Sequence, residues 1–177
     1  ASLSIAFNHQ NGQIVTTGST DSTNGRLMRG GFWTRDVGVT ARVTGSNIPY
    51  PAYDVYVYFD LPASDTMDSS LRSYTLNGIT KYGRNSLLSG DAFGDFPNYD
   101  TWVGFKEATA TSTFASNDQQ LGNYLVFRGQ NSPSFVLDVQ ERAAVSGIQI
   151  VEADATAPGL HVLATNRSTQ VSESGVS

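Results

Sequence analysis

The sequence predicts an all-β fold, a single β-sandwich of jelly-roll type, on three observations. Short segments of alternating apolar and polar residues recur along the 177-residue chain, separated by turn signals. Helical periodicity persists nowhere for more than about two turns. One stretch, Tyr53-Asp-Val-Tyr-Val-Tyr-Phe-Asp60, is dense in β-branched and aromatic residues, which suit a pleated, packed surface. Tyr53, Val55, Val57 and Phe59 fall on one face of it, and Asp54, Tyr56, Tyr58 and Asp60 on the other. Large rings on both faces place it centrally, with the first face in the core. Tyr56 and Tyr58 then cover the second face, either beneath another layer or as part of an exposed concave surface.

The other elements follow in order. Leu3, Ile5 and Phe7 alternate with small polar partners as a half-buried strand over 2–7, and a turn over 8–12 leads to a short strand through Ile14 and Thr17. Residues 18–25 read as a polar loop. A strand over 26–34 is interrupted at Gly30-Gly31, where a bulge or a close backbone approach is expected. Val37, Val39, Ala41 and Val43 alternate again, and 45–51 form the connection to the central strand. After a loop over 61–71, a strand over 72–76 ends in Asn77-Gly78, a hairpin signal, with 79–82 as the returning arm. The stretch 83–101 is the longest irregular one and carries Phe93, Phe96 and Tyr99; loops of that length are usually functional or poorly ordered. Residues 102–105 read as a short strand, and 108–120 are Ser/Thr-rich and ambiguous. Residues 123–128 are apolar on both faces, Phe135, Leu137 and Val139 point inward from a strand over 134–140, and 145–151 close the domain with Ile148 and Ile150 on one face. The sandwich therefore spans 1–153, and 154–177 form an edge segment at 160–163 and a linker-like tail whose residues 165–177 read as disordered by composition. No internal repeat is present.

Composition limits the function. Charged residues make up only 15% of the chain, beside 17 Gly and abundant Ser, Thr and Asn, which suits an extracellular β-protein better than a helical cytosolic enzyme. A net charge of −5 and two lysines, Lys81 and Lys106, argue against nucleic acid and against an anionic membrane surface. Cysteine is absent, which removes disulfides, Cys-ligated zinc and thiol catalysis together. The chain begins at Ala1, which reads as a processed mature chain, an excised domain or a trimmed one, and it holds no signal peptide and no apolar run of membrane-spanning length. A secreted or cell-surface location is expected.

Five segments together resemble a known family: NGRLMRG (24–30), YDVYVYF (53–59), SYTLNG (73–78), NYLVF (123–127) and RAAVSGIQIVE (142–152). Their order and spacing are similar to those of a β-sandwich module of secreted bacterial multidomain proteins, often found beside polysaccharide-degrading or surface-anchoring domains. That module is in turn similar to the galactose-binding-domain-like carbohydrate-binding modules. The resemblance covers roughly residues 27–151, and its YDVYVYF and SGIQIV strands are specific as a pair and weak singly. It implies a jelly-roll fold, secretion and glycan binding, and it carries over no fixed ligand residues. The 83–101 loop and the polar tail are features of this member.

Catalytic constellations are poorly supported. Glycoside hydrolysis needs two carboxylates across a scissile bond, yet the glutamates Glu107, Glu141, Glu152 and Glu173 sit in no aromatic cleft motif, and Asp54 and Asp60 read as solvated strand-end residues. His9 and His161 lack the neighbours of a triad and read as surface residues. Asp91, Asp95 and Asp100, with Asn98, place oxygens that a structural calcium could use, but the spacing matches no tight loop motif, and a metal-free turn cluster is the favoured reading. Asn166-Arg167-Ser168 matches a glycosylation sequon, of little weight if the chain is bacterial as the resemblance implies.

Aromatic residues carry the functional expectation. Sugar rings present apolar C–H faces that stack on Trp and Tyr, while their hydroxyls need polar groups in the ring plane. Tyr99 and Trp102 are expected to stack on a glycan, with Trp33 and Tyr82 as further platforms, although a Trp at 33 equally suits the core. Arg84, Asp95 and Asn98 would supply polar contacts. The chain thus reads as a non-catalytic carbohydrate-binding module, without a cofactor unless calcium is bound, that attaches a secreted protein to a polysaccharide. The alternative is a self-assembling subunit of an extracellular filament, sheath or adhesive layer, associating through its terminal strands. A small hydrolase or lyase would require a carboxylate pair or an Arg–Tyr cluster in one cleft.

Overall fold

Strands that bury one face must place their backbone groups in a ladder and their side chains against a second layer. The computed structural model satisfies both demands with an all-β architecture and describes residues 3–8, 12–16, 30–34, 38, 40–59, 71–85, 105–140, 143–153, 161–164 and 171–172. Its strands are β1 (Ser4–Asn8), β2 (Gly12–Thr16), β3 (Gly30–Thr34), β4 (Ala41–Ser46), β5 (Tyr53–Tyr58), β6 (Arg72–Leu76) and β7 (Ile79–Asn85). A four-residue helix α1 (Asn117–Gln120) precedes β8 (Leu121–Gly122), β9 (Tyr124–Gln130), β10 (Ser134–Val139), β11 (Ala144–Val145), β12 (Gly147–Glu152), β13 (His161–Ala164) and β14 (Val171–Ser172). Among the described residues these form a six-stranded sheet in the order β1-β4-β10-β6-β7-β8, a five-stranded sheet in the order β14-β13-β12-β5-β9, and a three-stranded sheet β11-β3-β2. Pairing is antiparallel throughout the strands except between β7 and β8.

The core lies between the two larger sheets in a sandwich-like arrangement. Tyr53, Val55 and Val57 of β5, Leu125 and Phe127 of β9, and Ile148 and Ile150 of β12 form one buried cluster with Ala41 and Val43 of β4, Tyr74 and Leu76 of β6, and Leu137 and Val139 of β10. The inward face expected for Tyr53, Val55, Val57 and Phe59 is thus the face observed. Its two tyrosines keep their hydroxyls satisfied, as buried polar groups must be: Tyr53 donates to the Ser132 carbonyl at 2.8 Å and Tyr74 to the Ala144 carbonyl at 3.0 Å.

Several boundaries differ from the sequence pattern, each for a tertiary reason. Gly45 and Ser46, expected in a connection, belong to β4 because β1 and β10 pair with both from opposite sides. Arg84 and Asn85 extend β7 beyond the expected hairpin arm because Leu121 and Gly122 pair with them in parallel. Phe105, expected at the end of a strand, lies outside regular structure. Ile148 and Ile150 of β12 are buried as one face of the strand, and its other face is covered too, Gln149 included. β13 realises the strand expected near 160–163 but is not an edge, because β14, within the stretch expected to be disordered, pairs with it. The hairpin at Asn77-Gly78 forms as expected, with φ of 49° and 85° at the two residues, the left-handed pair that a two-residue hairpin turn demands. Among the described residues no helix is long and apolar enough to cross a membrane.

The Gly30-Gly31 pair resolves as a close approach and not a bulge. β2 and β3 pair in unbroken register through both glycines, while a methyl group at Gly31 would overlap the Val145 carbonyl oxygen and crowd the Ser146 backbone. Gly31→Ala is therefore expected to open the β3–β11 contact and lower the unfolding free energy by about 1–3 kcal/mol. Urea denaturation checks this, and an unchanged midpoint would show that the strands separate without cost.

Candidate functional site

The outward face of the five-stranded sheet collects what alternation along β5 makes available. Register places Gln149 of β12, Tyr56 of β5 and Val126 of β9 side by side, and sets Tyr124 opposite Tyr58 one step along. The rings of Tyr56 and Tyr124 stack at 6.1 Å between centroids and 27° between planes, and those of Tyr58 and Tyr124 meet at 5.7 Å and 36°. Phe105, reaching in from the segment before β9, stands edge-on to both, at 5.6 Å from Tyr58 and 6.3 Å from Tyr124. These spacings lie in the favourable range for aromatic pairs. The cluster is graded in exposure: Tyr58 is 9% exposed, Tyr56 and Tyr124 are half-buried, and Phe105 is 37% exposed.

Polar groups hold this face in place. The Tyr58 hydroxyl donates to Gln149 Oε1 at 2.8 Å inside the protein, and burial first, then the neighbouring hydroxyls of Tyr124 and Tyr56, push its pKa up to about 12. Burial, then Glu107 and Tyr56, also raises that of Tyr124. Glu107 bridges Tyr124 through the backbone, and its carboxylate accepts two hydrogen bonds of 2.7 Å from the Arg128 guanidinium. The Glu107 side chain is 17% exposed against 56% for Arg128. The hydrogen bond from Arg128 outweighs burial and holds the Glu107 carboxyl below its usual value, while the same bond raises Arg128. On the inner side of β9, Lys81 lies over the core ring of Phe127 at 6.0 Å, and burial lowers its pKa against the opposing pull of Glu107. Asp54, at the bulge between β5 and β9, accepts from the Gly129 amide at 2.8 Å. Both carboxylates on this side are therefore already engaged as acceptors. The face presents partly exposed rings beside a fixed charge pair.

Of the residues singled out from sequence, the structure describes Tyr82, Arg84 and the backbone of Trp33. Tyr82 is half-buried on β7, where its amide donates to the Ala110 carbonyl at 2.9 Å. Arg84 lies two residues further on the same strand and donates from Nη2 to Gln120 Oε1 at 2.8 Å, with its Nε buried and without a hydrogen-bond partner among the described residues. Trp33 lies in β3, its backbone between Gln13 and Ala144. Tyr99, Trp102, Asp95 and Asn98, and with them Asp91 and Asp100 of the calcium reading, lie outside the described residues. Tyr124, Phe105, Glu107, Arg128 and Gln149 are the members that sequence reasoning missed. Alternation exposed Tyr56 and Tyr58, but the cross-strand partners depend on register, which only the paired strands define. Comparison with protein-family models, with curated proteins and with solved structures finds no match for the chain.

Two outcomes follow from this network. Glu107 has a depressed folded pKa, so its contribution is present above the ordinary value of 4.5 and is lost as pH falls through the folded value. Glu107→Gln should cost about 1 kcal/mol at neutral pH, and the gap to the parent protein should close in acid, as read by urea unfolding at two pH values; a gap independent of pH would contradict the linkage. Tyr58→Phe should cost about 1–2 kcal/mol because Gln149 Oε1 loses its buried donor. For Tyr58, with its raised pKa, that contribution is in place below the ordinary value of 10.0 and is lost as pH rises towards 12.

Proposed function

We propose that this chain is a non-catalytic carbohydrate-binding module that attaches a secreted protein to a polysaccharide. The observation that carries the reading is the partly exposed ring cluster of Tyr56 and Tyr124, both on strands, and Phe105 beside them, bordered by Arg128 and Glu107. Such rings match the apolar faces of sugars, and neighbouring charged and amide groups match their hydroxyls. Mounting the rings on a sheet preorganises them, which favours affinity. The low charge and the absence of cysteine support an extracellular location. The chain crosses between the two large sheets from β4 to β5 to β6, and again from β8 to β9 to β10, which supports a jelly-roll of the kind the galactose-binding-like resemblance implies. Tyr99, Trp102, Trp33 and Tyr82, with Arg84, Asp95 and Asn98, would extend the contact set in this reading, and Asp91, Asp95 and Asp100 would be the oxygen donors of any structural calcium.

A second reading is a self-assembling structural subunit. The observation favouring it is that, among the described residues, β1 and β14 each occupy the outer edge of a large sheet, where backbone groups can pair with another copy.

Affinity gel electrophoresis against plant, algal and microbial polysaccharides, with light scattering on the same sample, separates the two. A monomer retarded by one polymer class is expected, and Tyr56→Ala with Tyr124→Ala should weaken that retardation by about tenfold or more. Absence of retardation together with a large self-assembled species would overturn the binding reading in favour of the structural one.

A further inference from the structure

Between Thr109 and α1 the chain makes a short turn that leaves its one ring in water. Phe114 is 97% exposed. The turn beneath it is fastened on every side. The Phe114 amide donates to Ser112 Oγ at 3.0 Å and the Ala115 amide to the Ser112 carbonyl at 3.2 Å. Gln120, itself buried, donates from Nε2 to the carbonyls of Thr113 and Ala115, the two residues flanking Phe114, at 3.3 and 2.8 Å. Its Oε1 is in turn held by Arg84. Ser116 and Gln119 close a capping box at the start of α1, and the Gln119 carbonyl accepts from the amides of Thr109 and Ala110.

We infer that Phe114 is a second stacking site for an uncharged polysaccharide, separate from the ring cluster on the five-stranded sheet and resting on the binding-module reading. The surroundings select that occupant. Thr111, Ser112, Thr113 and Asn117 are all exposed and surround the ring in sequence with hydroxyls and an amide. The nearest charges along the segment, Lys106 and Asp118, neutralise each other at 2.7 Å. A protein partner would call for a contiguous apolar core within roughly 800 Å² of contact per side, whereas among the described residues the turn sets Phe114 between Thr111, Ser112, Thr113, Ala115 and Ser116, with no second large apolar side chain. An anionic membrane surface would call for cations around it, and the chain carries a net charge of −5. One apolar face rimmed by hydroxyl-bonding groups is the complement of a single sugar unit. With the ring cluster as the first site, a second contact acts through effective concentration and strengthens binding to long chains more than to short ones.

The test compares Phe114→Ala and Phe114→Trp with the parent protein, using whichever polysaccharide retards the parent and a short oligosaccharide cut from it. Phe114→Ala should weaken binding to the polymer by about 3- to 10-fold, change oligosaccharide binding less, and leave the urea midpoint where it was. Phe114→Trp should restore or strengthen polymer binding. Equal polymer affinity in Phe114→Ala and the parent would overturn the second site while leaving the module reading intact. A lowered urea midpoint, or a change of oligomeric state without a change in polymer affinity, would also overturn it, by assigning the ring to packing or to self-association. If the parent itself binds no polysaccharide, the module reading falls and the second site falls with it.

Discussion

The structure depends on one strand that is hydrogen-bonded on both sides and loaded with side chains on both faces. β5 lies between β12 and β9, so its backbone is satisfied along its length, and neither edge is left to water. Its inner residues, Tyr53, Val55 and Val57, anchor the cluster that joins the two large sheets. Its outer residues, Tyr56 and Tyr58, make the surface on which the ring cluster is built. Because side chains alternate strictly, a slip of one residue would send the tyrosines inward and the valines outward. The bulge opposite Asp54, closed by the Gly129 amide, confines the irregularity to one end of the strand. Core and candidate site are therefore specified by the same backbone.

A second level of order comes from buried amides that tie segments distant in sequence. Gln149 receives the Tyr58 hydroxyl and so fixes the innermost ring of the outer face. Gln120 receives Arg84 from β7 and gives its own protons to the turn that carries Phe114. Asn123 accepts from the Lys106 amide and helps to seat the segment that carries Phe105 and Glu107 beside β9. Neutral amides suit this work because each offers both donors and an acceptor, and burying one costs far less than burying a charge once its partners are present. The ring cluster and the Phe114 turn are thus tied down by glutamine and asparagine side chains as well as by apolar packing.

Much of the fold was legible along the chain. The alternation in β1, β5 and β10, the double-sided apolar character of β9 and the Asn77-Gly78 turn are local signals, written in residues that act on their own backbone or immediate neighbours. The Gly30-Gly31 pair announced that something approaches closely without saying what; the Val145 carbonyl is supplied by a strand more than a hundred positions away in sequence. The ends of β4 and β7 were misjudged because Gly45, Ser46, Arg84 and Asn85 have little strand propensity of their own and are held by partners. Arg84 drew attention as an arginine next to a long aromatic loop. In the structure its guanidinium is turned to Gln120.

Local chemistry along the chain settled the all-β class, the inward face of β5 and the exclusion of thiol and disulfide chemistry, because alternation, turn residues and composition act within a few residues of themselves. Which side chains meet was settled by folding alone. Tyr124, Phe105, Glu107 and Arg128 join Tyr56 and Tyr58 only because β9 pairs with β5 in one register and the segment before it folds over the same face. The turn that carries Phe114 is bonded to the buried Gln120, which Arg84, 36 residues earlier on β7, holds in turn. Such contacts lie between segments far apart in sequence, and no pattern confined to either segment contains them.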